Sequence, residues 1–236
     1  MSFSFTSFLE SLLSAFHYAP VTIKMTAVSF VAGLFFGTII ATIRFYKVPV
    51  LSQIFSVFVT VYMGLPTMVA LMLYNILFMT YYNGFAEAFN ISVPISDVDP
   101  IVIGYFTLIM GLSCSLSESV RGAFRAIDKT QFEAGYSIGM SKSKTLVRII
   151  YPQMIPVLLP GMQNSLIGLL KAVNLVSAIS VVEIMQGSLL PALLYYSYLE
   201  AYVAAALVYW LIGAAIEFLA SVLEKNSGKY LKKAIA

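Results

Sequence analysis

ESVRGAFRAIDKTQFEAGYSIGMSKSKTLVRIIYPQMIP, residues 118–156, interrupts an otherwise apolar chain and carries Arg121, Arg125, Lys129, Lys142, Lys144 and Arg148. Apolar stretches flank it at 101–117 and 157–182. A bilayer core takes roughly 20 apolar residues as a helix. Loops rich in Lys and Arg stay on the cytoplasmic side. The segment therefore reads as a cytoplasmic loop between two membrane spans, and the chain as an all-α membrane protein.

Working outward, further spans are expected at 21–43, 50–82 and 201–223, for five transmembrane helices in a single domain over 1–236. The composition agrees. It is 60% hydrophobic and 11% charged, with a mean hydropathy of +0.89, whereas a soluble domain carries about a quarter charged residues. Gly64 and Pro66 fall inside the second span, which is expected to be kinked or broken there.

The remaining charges set the orientation. Arg44 and Lys47 follow the first span, and Lys225, Lys229, Lys232 and Lys233 follow the fifth. The N-terminal segment and segments 83–100 and 183–200 have no Lys or Arg and carry Glu10, Glu87, Asp97, Asp99, Glu183 and Glu200 instead. The N-terminus is thus expected outside and the C-terminus in the cytoplasm, which an odd number of spans requires. The net charge of +3 is modest, and no nucleic-acid partner is expected. The N-terminus lacks a basic region before its apolar run, so no cleavable signal is expected and the first span is retained.

Little here supports bond chemistry. Cys114 and His17 are the single residues of their kinds, so no disulfide framework or metal cluster is expected. A membrane enzyme would need paired aspartates, a Ser–His pair or a metal cluster within its spans. No G-x-x-x-x-G-K-[ST] phosphate loop occurs; the stretch Gly139 to Thr145 has a superficial likeness but lacks the second Gly before its Lys. Catalytic and metal-ligating residues are therefore expected to be none. A secondary transporter would call for intramembrane carboxylates, which are scarce, and a bare membrane anchor subunit of another complex is the alternative.

Within 118–156, helix runs to about Ile127. Asp128 or Thr130 can cap a short helix over 131–138, which Gly139 can end. A third helix begins near Ser141 and leads back to the membrane. In the middle helix, the small residues Ala134 and Gly135 allow close approach of another backbone, and a neighbouring aromatic suits a partner's pocket.

These residues carry a resemblance. Glu133-Ala134-Gly135, then Gly139, Ile149 and Pro152, resemble the EAA motif of permease subunits in bacterial ATP-binding-cassette importers: Glu-Ala-Ala, three residues, Gly, nine residues, Ile, two residues, Pro. The spacings match, with Gly135 in place of the second Ala. The flanking Glu118, Arg121-Gly122-Ala123, Gln131, Pro152-Gln153, Asn164, Leu169-Leu170-Lys171 and Leu175-Val176-Ser177 resemble the polar amino acid permease family over about residues 20–225.

The resemblance implies a type I importer-like fold with a cytoplasmic coupling helix. Glu133, Ala134, Gly135 and Gly139 would then couple to a partner ATPase. Two permease copies, a homodimer being the simpler expectation, would work with two cytoplasmic ATPase subunits and an extracytoplasmic substrate-binding protein. ATP and magnesium would bind the partner ATPase, and this chain would hold no cofactor. The amino acid substrate would pass through the plasma membrane (the inner membrane in a two-membrane cell) by alternating access.

Polar groups within spans mark candidate substrate-path residues. Asn164, Gly168 and Lys171 share a helix face by spacing, with Ser165 and Ala172 beside it. Lys171 reads either as a pathway residue or as a structural lysine snorkelling outward. Tyr62-Met63-Gly64-Leu65-Pro66 is similar to the family's Arg-Gly-Thr-Pro segment, with Met63 for Arg and Leu65 for Thr; Gly64, Leu65 and Pro66 are the path residues it offers. Ser113 leads a hydroxyl run at 113–117. Members of the resembled family that take cationic amino acids often carry an acidic residue where this chain has Ser165, and the family's usual Asp-Thr-Ser after the Lys is Ala172-Val173-Asn174 here. A neutral polar or cystine-like amino acid is therefore expected.

Overall fold

A computed structural model describes residues 3–235, with side chains through Lys225. The side chains of Lys229, Lys232 and Lys233, used above for orientation, lie outside the described ones. Helix α1 spans Phe5–Phe45. It starts well before the expected span, capped by Ser4, whose Oγ accepts the Ser7 N–H at 3.3 Å. Pro20 lies inside it. Tertiary contact offsets the local cost of that proline: Ala15 and Ala19 are packed against Ile184, Ala205 and Val208.

The long second apolar run is broken in two. Helix α2, Leu51–Met63, and helix α3, Thr67–Ala88, meet at Gly64-Leu65-Pro66 with a bend of 108°. Pro66 occupies the cap position of α3 and has no N–H to continue α2. Helix α4 covers Ile101–Ala126. It is the central helix, with Leu108, Leu112, Leu116 and Val120 all buried.

Helices α1 and α4 approach closely because Gly33 and Gly37 lie between them. A Cβ at Gly33 would stand 2.8 Å from Leu112 Cδ2, and one at Gly37 2.9 Å from the Ser113 carbonyl oxygen. Gly33 thus makes room for the Leu112 side chain, and Gly37 lets the α1 backbone meet that of α4.

The polar loop folds as α5, Lys129–Ser137, and α6, Lys142–Thr145. A π-helical turn, Leu146–Ile150, then leads into α7, Tyr151–Ala172. Pro152 has no N–H for the Arg148 carbonyl and its ring crowds that oxygen, which accounts for the wider turn. A 3-10 segment, Val173–Ile179, ends α7. Helix α8, Ile184–Tyr195, and α9, Tyr198–Ile235, complete the chain.

Among the described residues, four continuous helical stretches suit a membrane crossing by length and apolarity, one of them running from α6 through α7, and the bent pair supplies a fifth span if it crosses as one. Large apolar side chains such as Phe35, Val61, Ile76, Trp210 and Phe218 remain exposed, as lipid or partner contact requires.

Segment 183–200, which the sequence marked only by its acidic residues, folds largely as α8, and Glu183 is fully buried. Its Oε1 accepts the Met185 and Gln186 N–H groups at 2.9 and 3.2 Å, capping α8. Its Oε2 accepts the hydroxyls of Thr22, at 3.3 Å, and Tyr209. One carboxylate therefore ties α8 to α1 and α9. The polar satisfaction explains how an acid is tolerated in an apolar bundle. Glu200 is buried as well, accepting the Ser4 N–H at 2.8 Å.

Candidate functional site

Two features stand out: the helical loop at the basic end of the bundle and a cleft between α3, α4 and α7. Asp128 opens the loop by accepting the Thr130 N–H and hydroxyl, each at 2.9 Å. Those two hydrogen bonds hold its carboxyl below the usual carboxylate range. Gly139, at φ +77°, turns the chain after α5, a conformation that suits glycine. Ser141 then caps α6 by accepting the Lys144 N–H at 3.4 Å.

Helix α5 has two faces. Glu133, Ala134, Ser137 and Ile138 are exposed, with Tyr136 the accessible aromatic. Gly135 turns inward. A Cβ there would lie 2.6 Å from Thr145 Cγ2, so the close approach the sequence offered to a partner is used by the chain's own α6. Phe132 also turns inward, its ring 5.7 Å from Phe45. Gln153 Nε2 donates to Gln131 Oε1 at 3.1 Å, joining α5 to α7.

Above the loop, Arg44 donates to Glu118 at 2.5 Å and to Ser56 Oγ at 3.2 Å. Arg121 holds the other Glu118 oxygen. These contacts bind the ends of α1 and α2 to α4. Sequence reading gave Arg44 an orienting role alone and did not single out Ser56; neither the pairing of Arg44 with Glu118 nor its bond to Ser56 has a local signal.

The cleft, about 230 Å³, is lined by Thr67, Thr107, Leu108, Gly111, Leu112, Ser115, Ser165, Gly168, Leu169 and Ala172. It brings together the start of α3, the middle of α4 and the end of α7. Of the expected path residues, Ser165 and Gly168 line it, and Gly64, Leu65 and Pro66 deliver Thr67 to it. Ser113 does not. Its hydroxyl bonds the Ile109 carbonyl at 2.6 Å, and it borders a separate apolar groove with Phe36, Ile40, Phe55 and Phe58. Ser115 faces the cleft instead, because two residues on a helix rotate a side chain by about 200°. Asn164 and Lys171 are exposed beside this face, and neither lines the cleft.

Residues 33–229 match the family model for the inner membrane component of binding-protein-dependent transport systems. The chain belongs to that family. Among relatives of this permease, a probable amino-acid ABC transporter permease protein, PatM of Vibrio harveyi, is 33% identical over 210 residues, covering 89% of this chain and 90% of that one. The L-cystine transport system permease protein TcyB of Bacillus subtilis is 32% identical over 213 residues, covering 90% and 86%.

A crystal structure of an amino acid ABC transporter with histidines superposes on the permease with a TM-score of 0.77, at 25% identity, covering 96% of this chain and 100% of that one. An inward-facing MetNI methionine transporter shares the fold, with a TM-score of 0.68 at 14% identity, covering 95% and 99%. The permease is thus a multi-pass inner-membrane subunit with a type I importer fold. It is not the enzyme of its system: ATP hydrolysis belongs to a partner subunit, and a binding protein is the other partner the family implies.

Proposed function

We propose that two copies of this permease form a homodimeric pathway for a neutral polar or cystine-like amino acid, received from the binding protein and released to the cytoplasm by alternating access. The observation that carries the reading is the lining of the cleft, in which the polar residues are Thr67, Thr107, Ser115 and Ser165 and no side chain is charged. A cationic side chain would enter it without a counter-charge. The 32% identity to an L-cystine permease points the same way.

The break at 64–66 supports a substrate role. The first N–H groups of a helix have no intrahelical partner, and broken helices in transporters present such ends to anionic substrate groups. Here the start of α3 reaches the cleft through Thr67, where the α-carboxylate of an amino acid would lie against it.

The exposed face of α5, with Glu133 and Ala134, is the seat of the ATPase. Gly135 serves this seat from within by holding α5 against Thr145, and Gly139 sets the turn that ends it. ATP and magnesium stay on the partner.

The test is the full complex in proteoliposomes. Wild type should take up radiolabelled L-cystine or glutamine, with arginine and lysine competing poorly. Gly139→Val, which forces a branched side chain into φ +77°, should lower transport per ATP hydrolysed about tenfold or more. Preferred uptake of arginine or lysine would overturn the substrate reading, and unchanged coupling in Gly139→Val would overturn the loop assignment.

A further inference from the structure

The two walls of the cleft are joined to α5 by different side chains. On one side, Phe132 of α5 stacks on Phe45 of α1. Phe45 in turn lies flat against Phe124 of α4, with ring centres 4.4 Å apart and planes within 13°. The stack ends on Tyr151, the first residue of α7, with its ring 6.0 Å from that of Phe124. The Tyr151 hydroxyl meets that of Thr42 at 3.0 Å. This arm thus touches α7 at its base, more than a dozen residues before Ser165. On the other side, Gly135 abuts Thr145 and Gln131 meets Gln153, so that arm leads into α7.

Helices α1 and α4 are fixed to one another over the same half of the bundle. Gly33 and Gly37 pack against Leu112, Ser113 and Leu116, and Arg44 pairs with Glu118. Leu112, which presses on Gly33, itself lines the cleft. Packed elements transmit displacement because close-packed interiors deform little. A push on Phe132 therefore reaches the α1–α4 pair and its cleft wall and meets α7 at its first residue, Tyr151, while a push through Gly135 and Thr145 enters α7 along the chain, toward Ser165 and Gly168.

We infer that Phe132, Phe45 and Phe124 form the joint through which α5 displaces the α4 wall relative to the α7 wall. Phe132 is a positioning residue: it acts on the pathway through Phe45 and Phe124, away from the ATPase-facing side of α5. The inference rests on the reading of α5 as the ATPase seat.

The test uses the full complex with Cys114→Ala, Ser115→Cys and Ser165→Cys, and a short bifunctional thiol reagent bridging the cleft. In the parent, cross-linking yield should differ between the nucleotide-free state and the state trapped with ATP and vanadate. In Phe132→Ala the ATPase should still co-purify and hydrolyse ATP, while the nucleotide-dependent change in yield falls about fivefold, on the scale of one lost aromatic pair. Phe132→Tyr, which keeps the ring, should restore it. Phe45→Ala should act alike, and the double variant should be no worse than either single one.

A full nucleotide response in Phe132→Ala would overturn the joint, as would loss of ATPase binding in that variant or a parent whose yield ignores nucleotide. Failure of the underlying reading is separate: it would show as unchanged ATPase binding when Glu133 and Ala134 are both replaced by bulky basic residues.

Discussion

Glu183 shows how much a single side chain can hold in this bundle. Its two oxygens accept four hydrogen bonds, from Thr22, Tyr209 and the first turn of α8. It sits at a helix N-terminus, where the backbone dipole favours negative charge. Glu183→Ala would take the acceptor from the buried Thr22 hydroxyl and from three partly buried donors, the Tyr209 hydroxyl and the Met185 and Gln186 N–H groups. The expected loss is about 2–4 kcal/mol of stability, measured by unfolding in mixed micelles. Glu183→Gln keeps one carbonyl oxygen for the α8 cap and presents an amide to the hydroxyls, which can turn to accept. Its loss should be the smaller of the two. Equal stability of wild type and Glu183→Ala would show that α8 is held by its apolar packing alone.

At the scale of elements, the loop was the most legible part of the chain, because its signals are local. Asp128, Gly139 and Ser141 are capping and turn residues at short spacing, and α5 lies at Lys129–Ser137 where the sequence placed 131–138. Apolar run lengths likewise marked the membrane helices. What the sequence did not carry was helical phase against distant neighbours. Ser113 and Ser115 are equally plausible on paper, and only the packing of α4 against α1 and α7 decides between them. The inward turn of Phe132 and Gly135 depends on Phe45 and Thr145, and the burial of Glu183 on residues more than 150 positions away in α1. The cap of α5 also sets a pH response. Its carboxyl has a lowered pKa in the folded chain, so its contribution is present above the unfolded value, about 3.9. It is lost as pH falls through the folded value. Exchange protection of the Thr130 and Gln131 amides, corrected for intrinsic rate, should stay constant from neutral pH down to about 5 and fall below about 4. Asp128→Ala should lower it at every pH, whereas a neutral-range transition would mean that another group controls α5.

The whole molecule depends on how the bent pair crosses, since that decides whether the two ends of the chain lie on opposite sides. The contacts of α2 and α3 give the direction. Ser56 of α2 accepts a hydrogen bond from Arg44, which is paired to Glu118 near the basic end of α4. Further along, the Tyr62 hydroxyl donates to the Thr107 carbonyl at 3.4 Å, and the Tyr74 ring meets Phe106 at 5.0 Å. Near the end of α3, the Tyr82 hydroxyl donates to the Val93 carbonyl at 2.9 Å, before α4 begins. The partners on α4 thus pass from Glu118 to Thr107 and Phe106, and α3 ends beside the segment that leads into the start of α4, as a single crossing broken by the 108° bend requires. A re-entrant hairpin would return to its starting level. Gln53 and Ser96 are both exposed, at opposite ends of this path. In a Cys114→Ala background, Gln53→Cys should react with a membrane-impermeant thiol reagent only in inverted vesicles, and Ser96→Cys only in right-side-out vesicles. Labelling of both from the same side would make the pair re-entrant, reduce the crossings to four and put both ends of the chain on one side. The acidic segment 83–100 would then share a compartment with Arg44 and Lys47, and the basic loop 118–156 would lie on the opposite side from them, against the charge asymmetry that orients membrane helices.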